Sequence, residues 1–180
     1  MLTLADLLSA NMQLLSVGLN PSIPSVKAGY YFANPRNRFW KALNGCGYFK
    51  QSLTPSAENC QYLHQYYGIG FTDLVKRPTA GCKDLKAADY RAGPARLQGI
   101  VDSLQPKMVW FHGKLTAQKY LQYCQGKKPK PCWGLQAWRI NDIPVYISPN
   151  PSPANAAYSL QNISDSYHYM FTQLNKVPPC

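Results

Sequence analysis

The chain alternates short apolar runs with amphipathic stretches. Four runs read as buried strands: Met12–Val17, Gly68–Val75, Met108–His112 and Pro144–Ser148. Each is stopped by a nearby glycine or proline. Trp133–Ile140 reads as an edge strand. Between them apolar positions recur at helical spacing. Leu2, Leu4, Leu7 and Leu8 predict a short helix over 2–10. Asn37 can cap a helix whose inward face is Phe39, Trp40 and Leu43. Further helices are expected over Ala57–Tyr66, over Asp84–Leu104 with a break at Gly93-Pro94, over Leu115–Tyr123 and over Leu160–Leu174. The segment Asn20–Asn37 is rich in Pro, Gly, Ser and Asn, and is too long for an ordinary connection. Strand, glycine turn and helix in succession is the rhythm of a parallel sheet. The expectation is α/β: one three-layer α/β/α domain over residues 1–180, with a central, mostly parallel sheet of four strands.

Composition narrows the partners. With 46% hydrophobic and 15% charged residues, the 180-residue chain can bury a core and is not a disordered polymer. No apolar run approaches the ~20 residues of a membrane helix, and Met1–Asp6 lacks a basic leader, so neither a membrane span nor a secretory signal is expected. Nineteen Lys+Arg against eight Asp+Glu give a net charge of +11, which favours a polyanion through counterion release. Thirteen Tyr, six Phe and four Trp supply faces on which an unstacked base can lie. The six cysteines form no C-x-x-C pair, so no metal or iron–sulfur site is expected; most are read as reduced and half-buried. Gln125–Pro131, with three lysines, reads as a basic surface loop.

Candidate chemistry sits where two of the strands stop. Asn20-Pro21-Ser22 follows the first and Asn150-Pro151-Ser152 follows the fourth. In an open α/β sheet, ligands bind at the carboxyl edge of the strands. Two proline-braced turns on that edge, each presenting an amide, mark a ligand site without naming the ligand. No G-x-G-x-x-G or P-loop is present, which argues against a nucleotide-binding enzyme of the Rossmann type.

Four blocks in order carry a resemblance: Gly18-Leu19-Asn20-Pro21-Ser22, Ala28–Pro35 with Arg36–Lys41, Gly68–Thr79 with Gly81–Leu85, and Phe111-His112-Gly113-Lys114. From about residue 14 to about residue 175 the chain resembles the mismatch-specific uracil/thymine-DNA glycosylase family, within the uracil-DNA glycosylase superfamily. The resemblance implies cleavage of the N-glycosidic bond of an extruded base in DNA. It places Asn20 on the attacking water and Phe32 under the flipped base. The amides of Leu19 and Phe32 would face the base edge. Gly18, Leu19, Pro21, Ser22, Phe32 and Asn150 form the substrate-binding set it implies. Arg36, Arg38, Lys76, Arg77 and Lys114 are the phosphate-contact candidates. Pro151, Ser152, Pro153, Ala154 and Asn155 match the loop that enters the duplex, with a smaller tip than the family pattern.

Asp73 departs from that pattern. It could assist the water, accept a hydrogen bond from a base, or be a capping or ion-paired residue with Lys76 or Arg77. The run Ser-Pro-Ala-Asn-Ala is similar to hypoxanthine-DNA glycosylases of the same superfamily. His112 is a candidate supporting residue at the end of its strand. No lysine is placed for a Schiff base, so the expectation is a monofunctional glycosylase without cofactor or metal. It would act as a monomer on DNA, in the cytoplasm of a bacterium or the nucleus of a eukaryote. The rival reading is a non-catalytic nucleic-acid-binding protein on the same scaffold.

Overall fold

The computed structural model describes residues 2–124 and 130–177. Five strands form one sheet in the order β2-β1-β3-β5-β4. They are β1 (Leu14–Gly18), β2 (Ile69–Asp73), β3 (Val109–His112), β4 (Gly134–Ile140) and β5 (Ile143–Ser148). The β1–β2, β1–β3 and β3–β5 pairs are parallel, and β4 runs antiparallel to β5. The sheet thus has five strands rather than four. The expected edge strand completes it, because the β4–β5 turn needs no crossover.

Among the described residues six α-helices accompany the sheet: α1 (Ile23–Ala28), α2 (Phe39–Gly45), α3 (Ala57–Tyr67), α4 (Gly93–Leu104), α5 (Lys114–Cys124) and α6 (Leu160–Leu174). Alternate residues of each central strand feed two separate cores. Leu14, Trp110 and Tyr146 pack with α2, α3 and α6. Leu15, Val17, Val109, Phe111, Val145 and Ile147 pack with α4 and α5. Burial on both faces is why the strands read as continuous apolar runs instead of alternating ones.

Three expectations are corrected. Residues 2–10 form no helix. β2 is the edge strand on that side of the sheet, and Leu7 pairs with its Phe71 in antiparallel fashion, N–H to O distances being 3.0 and 2.9 Å. An unpaired strand edge outcompetes a marginal helix, because isolated short helices gain little in water. The Asn20–Asn37 segment contains α1, capped by Ser22 Oγ, which accepts from Ser25 N–H at 3.2 Å, and closed by Gly29 at φ 76°. Residues 82–90 hold two 3-10 turns, Cys82–Asp84 and Ala87–Tyr90, and the α-helix starts only at Gly93. Of the Gln125–Pro131 loop, residues 125–129 lie outside the described residues, as does Cys180. Cys46 and Cys60 are buried, whereas Cys82, Cys124 and Cys132 are exposed thiols.

The start of α4 is pressed against the end of β2. A Cβ on Gly93 would overlap the backbone carbonyl of Leu74. Alanine gains about 1 kcal/mol of helix propensity, but a backbone clash costs about 1–3 kcal/mol, and the carbonyl cannot swing away. Gly93→Ala is therefore expected to lower stability by about 1 kcal/mol net. Thermal melting should show Tm down by about 2–4 °C; an unchanged or raised Tm would contradict this packing.

Candidate active site

Chain order makes β1 the switch point of the sheet. The chain leaves β1 to form β2 on one side and returns to form β3 on the other. Crevices at such points open outside the carboxyl ends of the strands. A cavity of about 620 Å³ lies there, lined by Gly18, Leu19, Asn20, Phe32, Asp73, His112 and Asn150 among others. That volume suits a small-molecule-sized ligand. The sequence-predicted residues from four strand ends thus converge on one space.

Asn20 is held by an extension of the β1–β2 ladder. Leu74 N–H donates to Gly18 O at 2.8 Å, Val75 N–H to Leu19 O at 2.9 Å, and Thr79 N–H to Pro21 O at 3.3 Å. This lays residues 18–21 along residues 74–79. The Asn20 amide nitrogen donates to Arg77 O at 3.0 Å, to Thr79 Oγ1 at 2.7 Å and to Pro21 O at 3.3 Å. Carbonyls only accept, so the amide's orientation is fixed, with Nδ2 towards them. Asn20 Oδ1 has no hydrogen-bond partner among the described residues. It is a fixed acceptor on the cavity wall, able to hold one hydrogen of a water and leave a lone pair free. Thr79 sits within the recognised Gly68–Thr79 block, but sequence reasoning gave it no role.

Asp73 ends β2 directly beside β1, in register with Gly18. A Cβ on residue 18 would run into its Oδ1, so only glycine leaves room for this carboxyl. Asp73 is 4% exposed, and its Oδ2 is buried without a hydrogen-bond partner. Burial raises its pKa to about 7. Lys76 pulls the other way, Asp6 adds to the rise, and Arg96 again lowers it. The ion pair with Lys76 or Arg77 that the sequence left open does not form: Lys76 pairs with Asp6 at 2.7 Å and Arg77 with Asp89 at 2.7 Å.

Asp6 is the hub that sequence reasoning missed. Its Oδ1 accepts from Lys76 Nζ (2.7 Å), Thr72 Oγ1 (2.9 Å) and Tyr31 OH (3.3 Å), and its Oδ2 accepts from Arg96 Nη1 (2.8 Å). Arg96 Nη2 also donates to the backbone carbonyl of Asp73. Reading 2–10 as a helix removed any reason to place Asp6 near the site.

Phe32 adopts φ 57°, a left-handed conformation that costs a non-glycine residue about 1–2 kcal/mol. Its ring stacks on Phe39 with centroids 3.8 Å apart and planes at 12°, and meets His112 edge-on at 5.0 Å. One face is thus braced while the half-buried residue lines the cavity. Neither Leu19 N–H nor Phe32 N–H finds an acceptor among the described residues, so both can face a ligand. His112 contacts Ser16 Oγ through Nε2 at 2.8 Å, and burial lowers its pKa to about 3, so the imidazole is neutral. Its Nδ1 is buried and unpartnered.

Asn150 Oδ1 accepts from Ser152 N–H at 2.9 Å, and its carbonyl accepts from Asn155 Nδ2 at 2.9 Å. Arg38 completes this loop, donating to the carbonyls of Ser152 (3.1 Å), Asn155 (2.7 Å) and Tyr158. Pro151 is buried, whereas Pro153 and Ala154 form an exposed tip. Pro21 is buried beside Asn20, and Ser22 both caps α1 and lines the cavity.

The five phosphate-contact candidates separate. Arg38, Lys76 and Arg77 are held by protein acceptors and brace the site from within. The Lys114 ammonium lies 4.5 Å from the Trp133 ring centroid. Arg36 is exposed on the cavity lining, and its guanidinium has no hydrogen-bond partner among the described residues.

The profile of the Uracil DNA glycosylase superfamily matches residues 5–171, nearly the whole chain and all of these site residues. The chain belongs to that superfamily. Its fold is similar to the solution NMR structure of a "putative Uracil DNA glycosylase" from Methanosarcina acetivorans, at TM-score 0.62 and 19% identity, over 96% of this chain and 97% of that one. At that identity the likeness is one of fold. The superfamily match is what ties this chain to DNA.

Asp73 has a pKa raised from 3.8 to about 7 in the folded state. Its contribution to stability is therefore intact below the unfolded value and is lost as pH rises through about 7. Asp73→Asn should melt close to wild type near about pH 4 and above it near about pH 8, a gap of a few kcal/mol. A pH-independent difference in Tm would show that Asp73 ionises freely.

Proposed function

We propose that the protein is a monofunctional DNA glycosylase that removes uracil, and related deaminated bases, from DNA. The observation that carries this is the fixed carboxamide of Asn20 beside the buried, unpartnered carboxyl of Asp73 in a cavity on the sheet rim. A stacked base cannot reach such a cavity, so the nucleotide must be extruded. Phe32, braced by Phe39, offers a face for the base. The bond between C1′ and the base nitrogen breaks, and its electron pair leaves with the base. The amides of Leu19 and Phe32, without acceptors among the described residues, would stabilise that negative charge. Water held on Asn20 Oδ1 then attacks C1′, and the proton it gives up goes to the departing base anion, which leaves as the neutral base. An oxocarbenium-like sugar needs only a weak nucleophile, so orientation matters more than base strength.

Asp73 serves the base in this reading. A neutral carboxyl offers O–H and C=O side by side, which meets the adjacent N–H and C=O of uracil or of hypoxanthine. Burial favours that neutral form. Asn150, on the opposite side of the switch point, contributes its free Nδ2 or steadies the loop around the extruded nucleotide.

The test is single-turnover release of base from labelled duplexes carrying G·U, A·U, G·T or hypoxanthine, from single-stranded uracil DNA, and from an unmodified duplex. Abasic product from the uracil substrates is expected. Asn20→Ala should slow it by at least about a hundredfold with binding retained. DNA binding without product from any substrate would instead favour a non-catalytic binder. The pH profile assigns Asp73. Recognition by the neutral carboxyl makes the rate fall as pH rises through about 7, and Asp73→Asn, which keeps a donor and an acceptor, stays active with a flat profile. A rate that rises through the same range, with an inactive Asp73→Asn, would make Asp73 the base that takes the water's proton.

A further inference from the structure

Lys114, Trp133 and Tyr158 stand together outside the cavity. The Lys114 ammonium lies over the Trp133 ring, 4.5 Å from its centroid, and Tyr158 meets Trp133 edge-on at 5.2 Å. Topology puts all three on the same rim as Asn20 and Asn150. Lys114 opens α5 just after β3 and Gly113. Trp133 precedes Gly134, which pairs with Ile147 near the carboxyl end of β5. Tyr158 closes the loop after β5, and Arg38 ties its carbonyl to the same guanidinium that holds Ser152 and Asn155.

The surface here suits a polyanion with an apolar face. Trp133 is 38% exposed, and the neighbouring Leu115, Leu135 and Leu160 are exposed as well. From Ser103 to Ser164 the single carboxylate is Asp142. It lies in the β4–β5 turn, at the far end of those strands from the rim. A large exposed indole under a lysine, in a region without acids, has no intramolecular purpose in the core.

We infer that Lys114, Trp133 and Tyr158 form a second DNA contact, which takes the nucleotide next to the extruded one, its phosphate on Lys114 and its base or sugar face on Trp133. The inference rests on the glycosylase reading. Extrusion removes a stacking partner from the neighbouring bases. The loop tip that could replace it is only Pro153 and Ala154, both exposed. An indole on the adjoining rim restores stacking, and its π face is indifferent to base identity. Lys114 exchanges its contact with the ring for a phosphate. Tyr158 holds the indole edge and ties the platform to the loop.

Fluorescence anisotropy with a duplex carrying an abasic site measures this directly. Trp133→Ala should weaken binding about tenfold, and Trp133→Phe should recover most of it. Lys114→Gln should weaken binding and reduce the slope of log K against log salt by about one. All three variants should keep the wild-type Tm, since Trp133 and Lys114 lie on the exposed rim and not in the core. Wild-type affinity in Trp133→Ala, or an unchanged salt slope in Lys114→Gln, overturns the second contact while leaving the glycosylase reading intact. A wild-type protein that binds neither this duplex nor uracil DNA overturns the glycosylase reading itself.

Discussion

The close approach of Gly18 to Asp73 is the constraint on which the site depends. Two parallel strands end in register, and the missing side chain on one gives space for the carboxyl of the other. A Cβ at position 18 would displace that carboxyl from its place beside β1. Instead the carboxyl is buried without a partner, an arrangement that opposes folding at neutral pH and persists because the surrounding ladder fixes it. The same ladder runs on beyond the strands and positions Asn20. One backbone register therefore sets both the Asn20 amide and the titratable carboxyl of Asp73.

Four of the nineteen Lys and Arg residues are committed to internal bonds around the site. Arg38 ties the Pro151–Tyr158 segment together through three carbonyls, and Lys76 and Arg96 close on Asp6 behind the cavity. Arg77 pairs with Asp89 and holds that carboxylate down at about 2. These internal bonds order the cavity wall without any ligand. The net charge of +11 thus overstates the number of cations free for phosphate. The heads of Arg36 and Lys114 are not tied to carbonyls or carboxylates among the described residues.

The N-terminal arm shows how an edge can redirect a chain. Residues 2–8 lie along β2, deliver Leu4 to the cavity wall and Asp6 to the charge network. Asp6 offsets the two cations that would otherwise draw Asp73 into its ionised form. The arm is therefore part of the site's electrostatics, although its own apolar spacing suggested only a small surface helix.

The sequence by itself determined the parallel sheet, the order of its elements and the rim residues. Runs buried on both faces, glycine and proline stops, and the two Asn-Pro-Ser turns are local signals, and each depends only on neighbours in the chain. It also named Asn20, Phe32, Asp73 and Asn150, because recognisable blocks mark strand ends. Tertiary structure alone decided what each was bonded to. The pairing of Leu7 with Phe71, the hold of Thr79 on Asn20, the closure of Asp6 on Lys76 and Arg96, and the meeting of Trp133 with Lys114 all join residues distant in sequence. Such contacts arise from register and packing between elements, which no local periodicity encodes.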